Sequence, residues 1–141
     1  METIKIYLSG SMSGVSLEEQ SRWRQQIIDA IKDNYECGKK PVFFNPVDYY
    51  TFKEKRHKSE LEVMNFDLNA LRKSDLIIVN FNDPSSIGTA MEIMLGYEMN
   101  IPILGLNKDN KKIHPWLECG CDRIFDSMKD LVEYTVDFYL N

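Results

Sequence analysis

DLIIVNF (residues 75–81) and IPILGL (residues 101–106) are two short apolar runs separated by NDPSSIGTAMEIMLGYEMN (residues 82–100), a polar turn followed by a helical stretch. Continuous apolar runs of this length read as strands covered on both faces, and a helix joining two of them forms the β-α-β unit of a parallel sheet. The polar turn after residue 81 and the helix predicted over 87–99 then lie at the carboxyl end of the first of these strands.

The same alternation continues outward in both directions. IKIYL (4–8) carries β-branched and aromatic residues and runs into SGSMSG (9–14), whose glycines and serines suit a tight loop. Ser16 and Glu19 have capping-box spacing before Trp23, Ile27, Ile28 and Ile31, which predicts a helix over about 17–34. PVFFNP (41–46) reads as a second strand between prolines, and 47–58 as a loop without clear period. Ser59 and Glu62 repeat the cap spacing before Val63, Met64, Asp67, Leu68 and Leu71, so a second helix should reach about residue 73. Beyond a polar loop (107–112), DRIF (122–125) reads as a short last strand and 127–139 as a closing helix. Strands alternate with helices, and five strands of this length suit a flavodoxin-like, Rossmann-like doubly wound α/β sheet in the order 2-1-3-4-5.

The chain's 141 residues and 43% hydrophobic content are sized for one domain over 1–141, with neither an internal repeat nor a low-complexity tract. A net charge of −5 without a basic, aromatic-interleaved patch argues against nucleic acid as a partner. No apolar run approaches the roughly 20 residues of a membrane span, and the amino terminus lacks the form of a signal peptide, so a cytoplasmic protein with no membrane partner is expected. Cys37, Cys119 and Cys121 with His57 and His114 make a poor zinc set, and no metal or organic cofactor is called for.

In a 2-1-3-4-5 sheet, ligands bind at the carboxyl ends of the strands beside the switch point between strands 1 and 3. That brings SGSMSG and NDPSSIG into one crevice. Ser86, Ile87, Gly88 and Thr89 open the third helix, whose free N–H groups favour an anion, although Ser86 also suits a plain helix cap. Ser11 and Ser13 add uncharged donors, while the loop fits neither a dinucleotide nor a Walker fingerprint. Glu92 stands near the positive end of that helix among apolar neighbours, either a surface charge or a carboxylate pointed into the cleft, where its ionised form is favoured. Asp67 is an acid on an apolar helix face. Together they would supply the acid and the nucleophile needed at an acetal-like carbon. Tyr7 points either into the core or toward the crevice, Asn45 with Pro46 suits a turn, and the tyrosines of DYY (48–50) offer aromatic faces.

These residues resemble a known family, the nucleoside 2-deoxyribosyltransferases with the related nucleoside 5′-monophosphate N-glycosidases. The resemblance runs through YLSGSMSG, FFNPVDYY, NFDLNALRKSDLIIVNF and SSIGTAMEIMLGYEMNIPILGL, and G-T-A-x-E-x-x-x-G-Y followed by IPIL is its most specific part. It implies that Glu92 attacks the anomeric carbon to form a glycosyl-enzyme while Asp67 delivers a proton to the departing base, with the two carboxyl groups about 5 Å apart. It further implies Tyr7 as a third catalytic residue and a substrate pocket drawn from Gly10, Ser11, Met12, Ser13, Gly14, Asn45, Ser86 and Gly88, with a small-molecule nucleotide or nucleoside as partner. Members acting on free nucleosides usually read D-S-G-T-A-x-E, where this chain has Ser86-Ile87-Gly88-Thr89-Ala90-Met91-Glu92. Serine at a helix start accommodates a 5′-phosphate that a carboxylate would repel, which points to monophosphate hydrolysis, with base exchange and non-catalytic nucleotide binding as alternatives. Monophosphate-cleaving members often carry an arginine in the first loop; the nearest here are Arg22 and Arg24 on the first helix. Family members assemble as dimers or larger, which implies a homo-oligomer with Trp116 stacking on the base across the interface.

Overall fold

The computed structural model describes residues 1–12, 14–49 and 57–141. The elements in chain order are β1 (Thr3–Gly10), α1 (Leu17–Asn34), β2 (Lys40–Phe44), a 3-10 turn (Pro46–Tyr49), α2 (Glu60–Arg72), β3 (Leu76–Asn80), α3 (Ile87–Glu98), β4 (Ile103–Leu106), α4 (Pro115–Gly120), β5 (Arg123–Phe125) and α5 (Met128–Tyr139). All strand pairings are parallel, in the order β2-β1-β3-β4-β5, as the alternation of the sequence predicts.

The strands carry apolar side chains on both faces because helices cover both. On one face Ile6, Leu8, Leu76 and Ile78 pack against Trp23, Ile27 and Ile31 of α1 and Leu131 and Val132 of α5. On the other, Tyr7, Ile77 and Val79 pack against Leu71 of α2 and Ile93 of α3. Alternation along β1 therefore sends Tyr7 and Ser9 toward α3, and Ile6 and Leu8 toward α1.

The helix starts follow the predicted chemistry. Ser16 and Ser59 accept from the backbone N–H groups of Glu19 and Glu62, each at 3.2 Å, and Ser127 caps α5 in the same way. Two local readings change, and the helix that the alternation requires between the fourth and fifth strands gains its place. The first strand continues past residue 8 to Gly10, because β3 still pairs with it as far as Gly10↔Asn80. The stretch predicted as loop from 47 opens with the 3-10 turn, and its residues 50–56 lie outside the described residues. The helix between the fourth and fifth strands is α4, capped by His114 Nδ1 with Pro115 in its first turn. Among the described residues, no helix is long and apolar enough to cross a membrane.

Candidate active site

β1 ends beside β3, and the loops that leave them are joined by one side chain. Asn82 Oδ1 accepts from the Ser11 backbone N–H at 3.0 Å while its Nδ2 donates to Ser11 O at 3.3 Å. This two-way bond makes a single crevice rim of the β1–α1 and β3–α3 loops. Gln20 fixes the rest of the first loop by donating to Met12 O and Val15 O, both at 2.7 Å. Gly14 takes φ +73°, the left-handed region open to glycine. Gly10 is required for another reason: a Cβ there would stand 2.6 Å from Cζ2 of Trp23, so α1 packs directly on the backbone at the strand end. Ser13 lies outside the described residues.

Below this rim lies Glu92, on the second turn of α3, with its Oε2 buried. Ser9 Oγ donates to Glu92 Oε1 at 3.3 Å. Burial pushes the Glu92 carboxyl up to about 7; the Tyr7 hydroxyl bond lowers it, the Asp67 charge raises it, and Arg24 and Ser9 lower it. Burial thus works against the ionised form that the helix start favours. Asp67, half-buried on α2 with Oδ1 buried, acts on the same carboxylate. Tyr7 satisfies both of its sequence readings, since its ring is fully buried and its hydroxyl serves Glu92.

α3 begins above Glu92. Ser86 accepts from Thr89 N at 3.3 Å, so it is a helix cap, and its hydroxyl hydrogen remains available to a ligand. Gly88 faces open space: among the described residues, nothing beyond its own stretch of helix lies within 4 Å of where a Cβ would stand. Of the two arginines singled out for phosphate, Arg22 is exposed and paired with Glu18 at 2.7 Å, and Arg24 is fully buried. Lys111, which sequence reasoning passed over, reaches the rim by donating to Asn82 O.

Asn45 and Trp116, both expected at the pocket, have these surroundings in the single chain. Asn45 closes the turn after β2, its Oδ1 accepting from Val47 N at 3.2 Å and its Nδ2 donating to Asp48 at 3.4 Å. Trp116 stands 82% exposed on α4 and borders a separate apolar hollow of about 610 Å³ with Ile93, Met94, Tyr97 and His114. Tyr49, one of the tyrosines expected to offer an aromatic face, joins Tyr7 in a wall whose other members, Phe44 and Phe66, were missed. Phe44 stacks between Tyr7 at 5.2 Å and Tyr49 at 4.9 Å, with Phe66 of α2 tilted against both Phe44 and Tyr49. Its signal was present, since Phe66 adjoins Asp67 and Phe44 ends the second strand.

Residues 6–137 match the family described as nucleoside 2-deoxyribosyltransferase. The chain belongs to this family. It is accordingly an enzyme of the glycosyl-transfer and glycosyl-cleavage kind. Solved structures with the same fold include a 2-deoxyribosyltransferase from Leishmania mexicana, 18% identical with TM-score 0.71, covering 97% of this chain and 99% of that one. Another is the 2-deoxyribosyltransferase from Bacillus psychrosaccharolyticus, 18% identical with TM-score 0.71, covering 92% and 91% respectively. The CMP N-glycosidase BcmB from Clostridium botulinum is 18% identical with TM-score 0.56, covering 96% and 99%. No curated protein sequence matches the chain. Within the family's G-T-A-x-E motif, Glu92 is the acid that the fold places beneath the crevice rim.

Proposed function

We propose that the protein hydrolyses the N-glycosidic bond of a nucleoside or deoxynucleoside 5′-monophosphate, releasing free base and sugar 5-phosphate. The observation that carries this reading is the buried Glu92 carboxyl, served by Ser9 and Tyr7 and coupled to Asp67, below a helix start capped by serine. Glu92 in its ionised form attacks C1′ of the sugar. The C1′–N bond breaks, its electrons pass to the base, and Asp67 supplies the proton that neutralises the departing nitrogen. The pair needs one proton between its members, on Asp67 while Glu92 attacks, and the repulsion between the two carboxyls disfavours losing it. Water, deprotonated by Asp67, then cleaves the glycosyl ester and regenerates Glu92.

The exposed Gly88 and the Ser86 cap support placing the 5′-phosphate at the start of α3, where N–H groups and dipole favour an anion. Ser11 and Lys111 flank that place on the rim. The aromatic wall of Phe44, Tyr49 and Phe66 beside Tyr7 offers a stacking face to a base. The apolar face bearing Ile87, Met94, Tyr97 and Trp116, all exposed, supports assembly into a homo-oligomer in which Trp116 of one copy reaches the site of another.

The experiment is a panel of nucleosides and 5′-monophosphates, ribo and deoxy, read by chromatography for free base. Base release from monophosphates alone is expected, and Glu92→Gln should abolish it. The family match favours a second reading, base exchange between deoxynucleosides. A new nucleoside formed when a free acceptor base is added would establish that reading instead.

A further inference from the structure

Arg24 is fully buried on α1, across the sheet from α3. Its Nε donates to Leu8 O and its Nη2 to Gly10 O, both at 3.3 Å; its Nη1 donates to Gln20 O at 2.7 Å. The two β1 carbonyls are ones that the sheet leaves over. Even-numbered carbonyls of β1 face β2, as Glu2 O does in accepting from Lys40 N, while Lys5 O faces β3 and accepts from Asp75 N. The β1–β2 ladder ends at Tyr7↔Phe44. Leu8 O and Gly10 O therefore project beyond β2, and the guanidinium supplies the donors that a longer strand would have provided. Between these carbonyls lies Ser9, whose hydroxyl donates to Glu92.

A buried cation needs compensating charge as well as hydrogen bonds. Burial lowers Arg24 to about 10, leaving it charged at neutral pH, and Glu92 is the strongest of the acids that oppose this, ahead of Tyr7, Asp67 and Asp48. The groups facing Glu92 are Tyr7 and Ser9 from β1, Asp67 from α2 and Arg24 from α1; Asp48 of the 3-10 turn faces Arg24.

We propose that Arg24 is a positioning residue of the active site: it clamps the carbonyls on both sides of Ser9, holding that hydroxyl on Glu92, and sets a fixed positive charge behind the Glu92 carboxylate. The inference rests on Glu92 being the working carboxylate of the proposed reaction. It gives the buried arginine a task separate from phosphate binding.

The test reads Glu92 directly. NMR titration of its isotope-labelled carboxyl, assigned by the signal lost in Glu92→Gln, is run without substrate on the parent, Arg24→Gln, Arg24→Lys and Ser9→Ala, with thermal unfolding of each. Arg24→Gln should raise the Glu92 midpoint by about one pH unit, the size of an opposite charge removed from nearby. Arg24→Lys should keep the midpoint near the parent value while lowering kcat, because an ammonium replaces the charge and not the two-carbonyl clamp. Ser9→Ala should move the midpoint upward by less than Arg24→Gln. A folded Arg24→Gln with an unmoved Glu92 overturns the proposal, and so does an Arg24→Lys that shifts as far as Arg24→Gln. Should Arg24→Gln fail to fold, a Glu92 signal in Arg24→Lys displaced by about one unit overturns it equally. The titration is legible whether or not base is released, so failure of the proposed reaction and failure of the Arg24 role are told apart.

Discussion

Ser9 Oγ donates to Glu92 Oε1 across 3.3 Å, joining the end of β1 to the second turn of α3. Bonds of this kind favour the charged carboxylate, but burial outweighs them and the carboxyl rests at about 7. Attack needs one proton on the Glu92–Asp67 pair, with Glu92 charged and Asp67 neutral, and ionising both removes the proton that the departing base takes. kcat/KM for base release should therefore fall with pH through a midpoint near 7 in the free enzyme. A pH–rate profile checks this. A falling limb centred in the ordinary carboxylate range would mean that Glu92 is not the group being titrated.

The same shift makes folding stability depend on pH. Glu92 binds its proton up to about 7 when folded, against 4.5 as the ordinary value. The folded chain therefore holds more protons between these limits, and the Glu92 contribution is fully present below the lower value and lost as pH rises through the upper one. The loss approaches about 3 kcal/mol at roughly 1.4 kcal/mol per unit. Glu92→Gln should remove this slope and be more stable than the parent above pH 7, as thermal unfolding at a series of pH values would show.

Asp67 is proposed to protonate the leaving base, and its replacement should be felt in proportion to the need for that proton. Asp67→Asn is expected to lower kcat by roughly 10²- to 10⁴-fold. A substrate whose base leaves readily without protonation should recover most of the loss. Equal losses on good and poor leaving groups would assign Asp67 to sugar binding.

Gly10 has a packing role that can be measured apart from catalysis. A Cβ at Gly10 would lie 2.6 Å from Trp23 Cζ2, and the indole is held in the α1 side of the core. Gly10→Ala should lower stability by about 1–3 kcal/mol, with the displaced strand end also loosening Ser9. An unchanged melting temperature would show that Trp23 moves aside at little expense.

The fold was legible because its evidence is periodic. The runs at 75–81 and 101–106 and the serine caps before the helices repeat in the structure as β3, β4 and capped α1 and α2. The motif acids were legible for a different reason, their spacing in G-T-A-x-E and D-L-N. What escaped was the apparatus around Glu92. Ser9 was hidden because the strand outlasts its apolar alternation by two residues, and a strand end is set by pairing with β3 and not by local propensity. Arg24 was noticed only as an arginine near the first loop, although it occupies the inward stripe of α1 with Gln20, Trp23, Ile27 and Ile31. An arginine at an inward helical position was the available signal. The Asn82 bridge joins loops 71 residues apart in sequence, and no local pattern encodes it.

Ser86 joins a structural role to a proposed ligand role, and one substitution separates them. Its side chain caps α3 by accepting from Thr89 N, a bond that aspartate makes equally well at the same position. Ser86→Asp should therefore keep the stability within about 1 kcal/mol of the parent. The added carboxylate repels a 5′-phosphate while offering an acceptor to a 5′-hydroxyl, so KM for monophosphates should rise by roughly tenfold or more, and activity on unphosphorylated nucleosides should increase. Ser86→Ala runs the other way: loss of the cap should destabilise the chain by about 1 kcal/mol without introducing repulsion. If Ser86→Asp leaves the preference between monophosphate and nucleoside unchanged, the phosphate is not bound at the start of α3, and Ser86 is a cap alone.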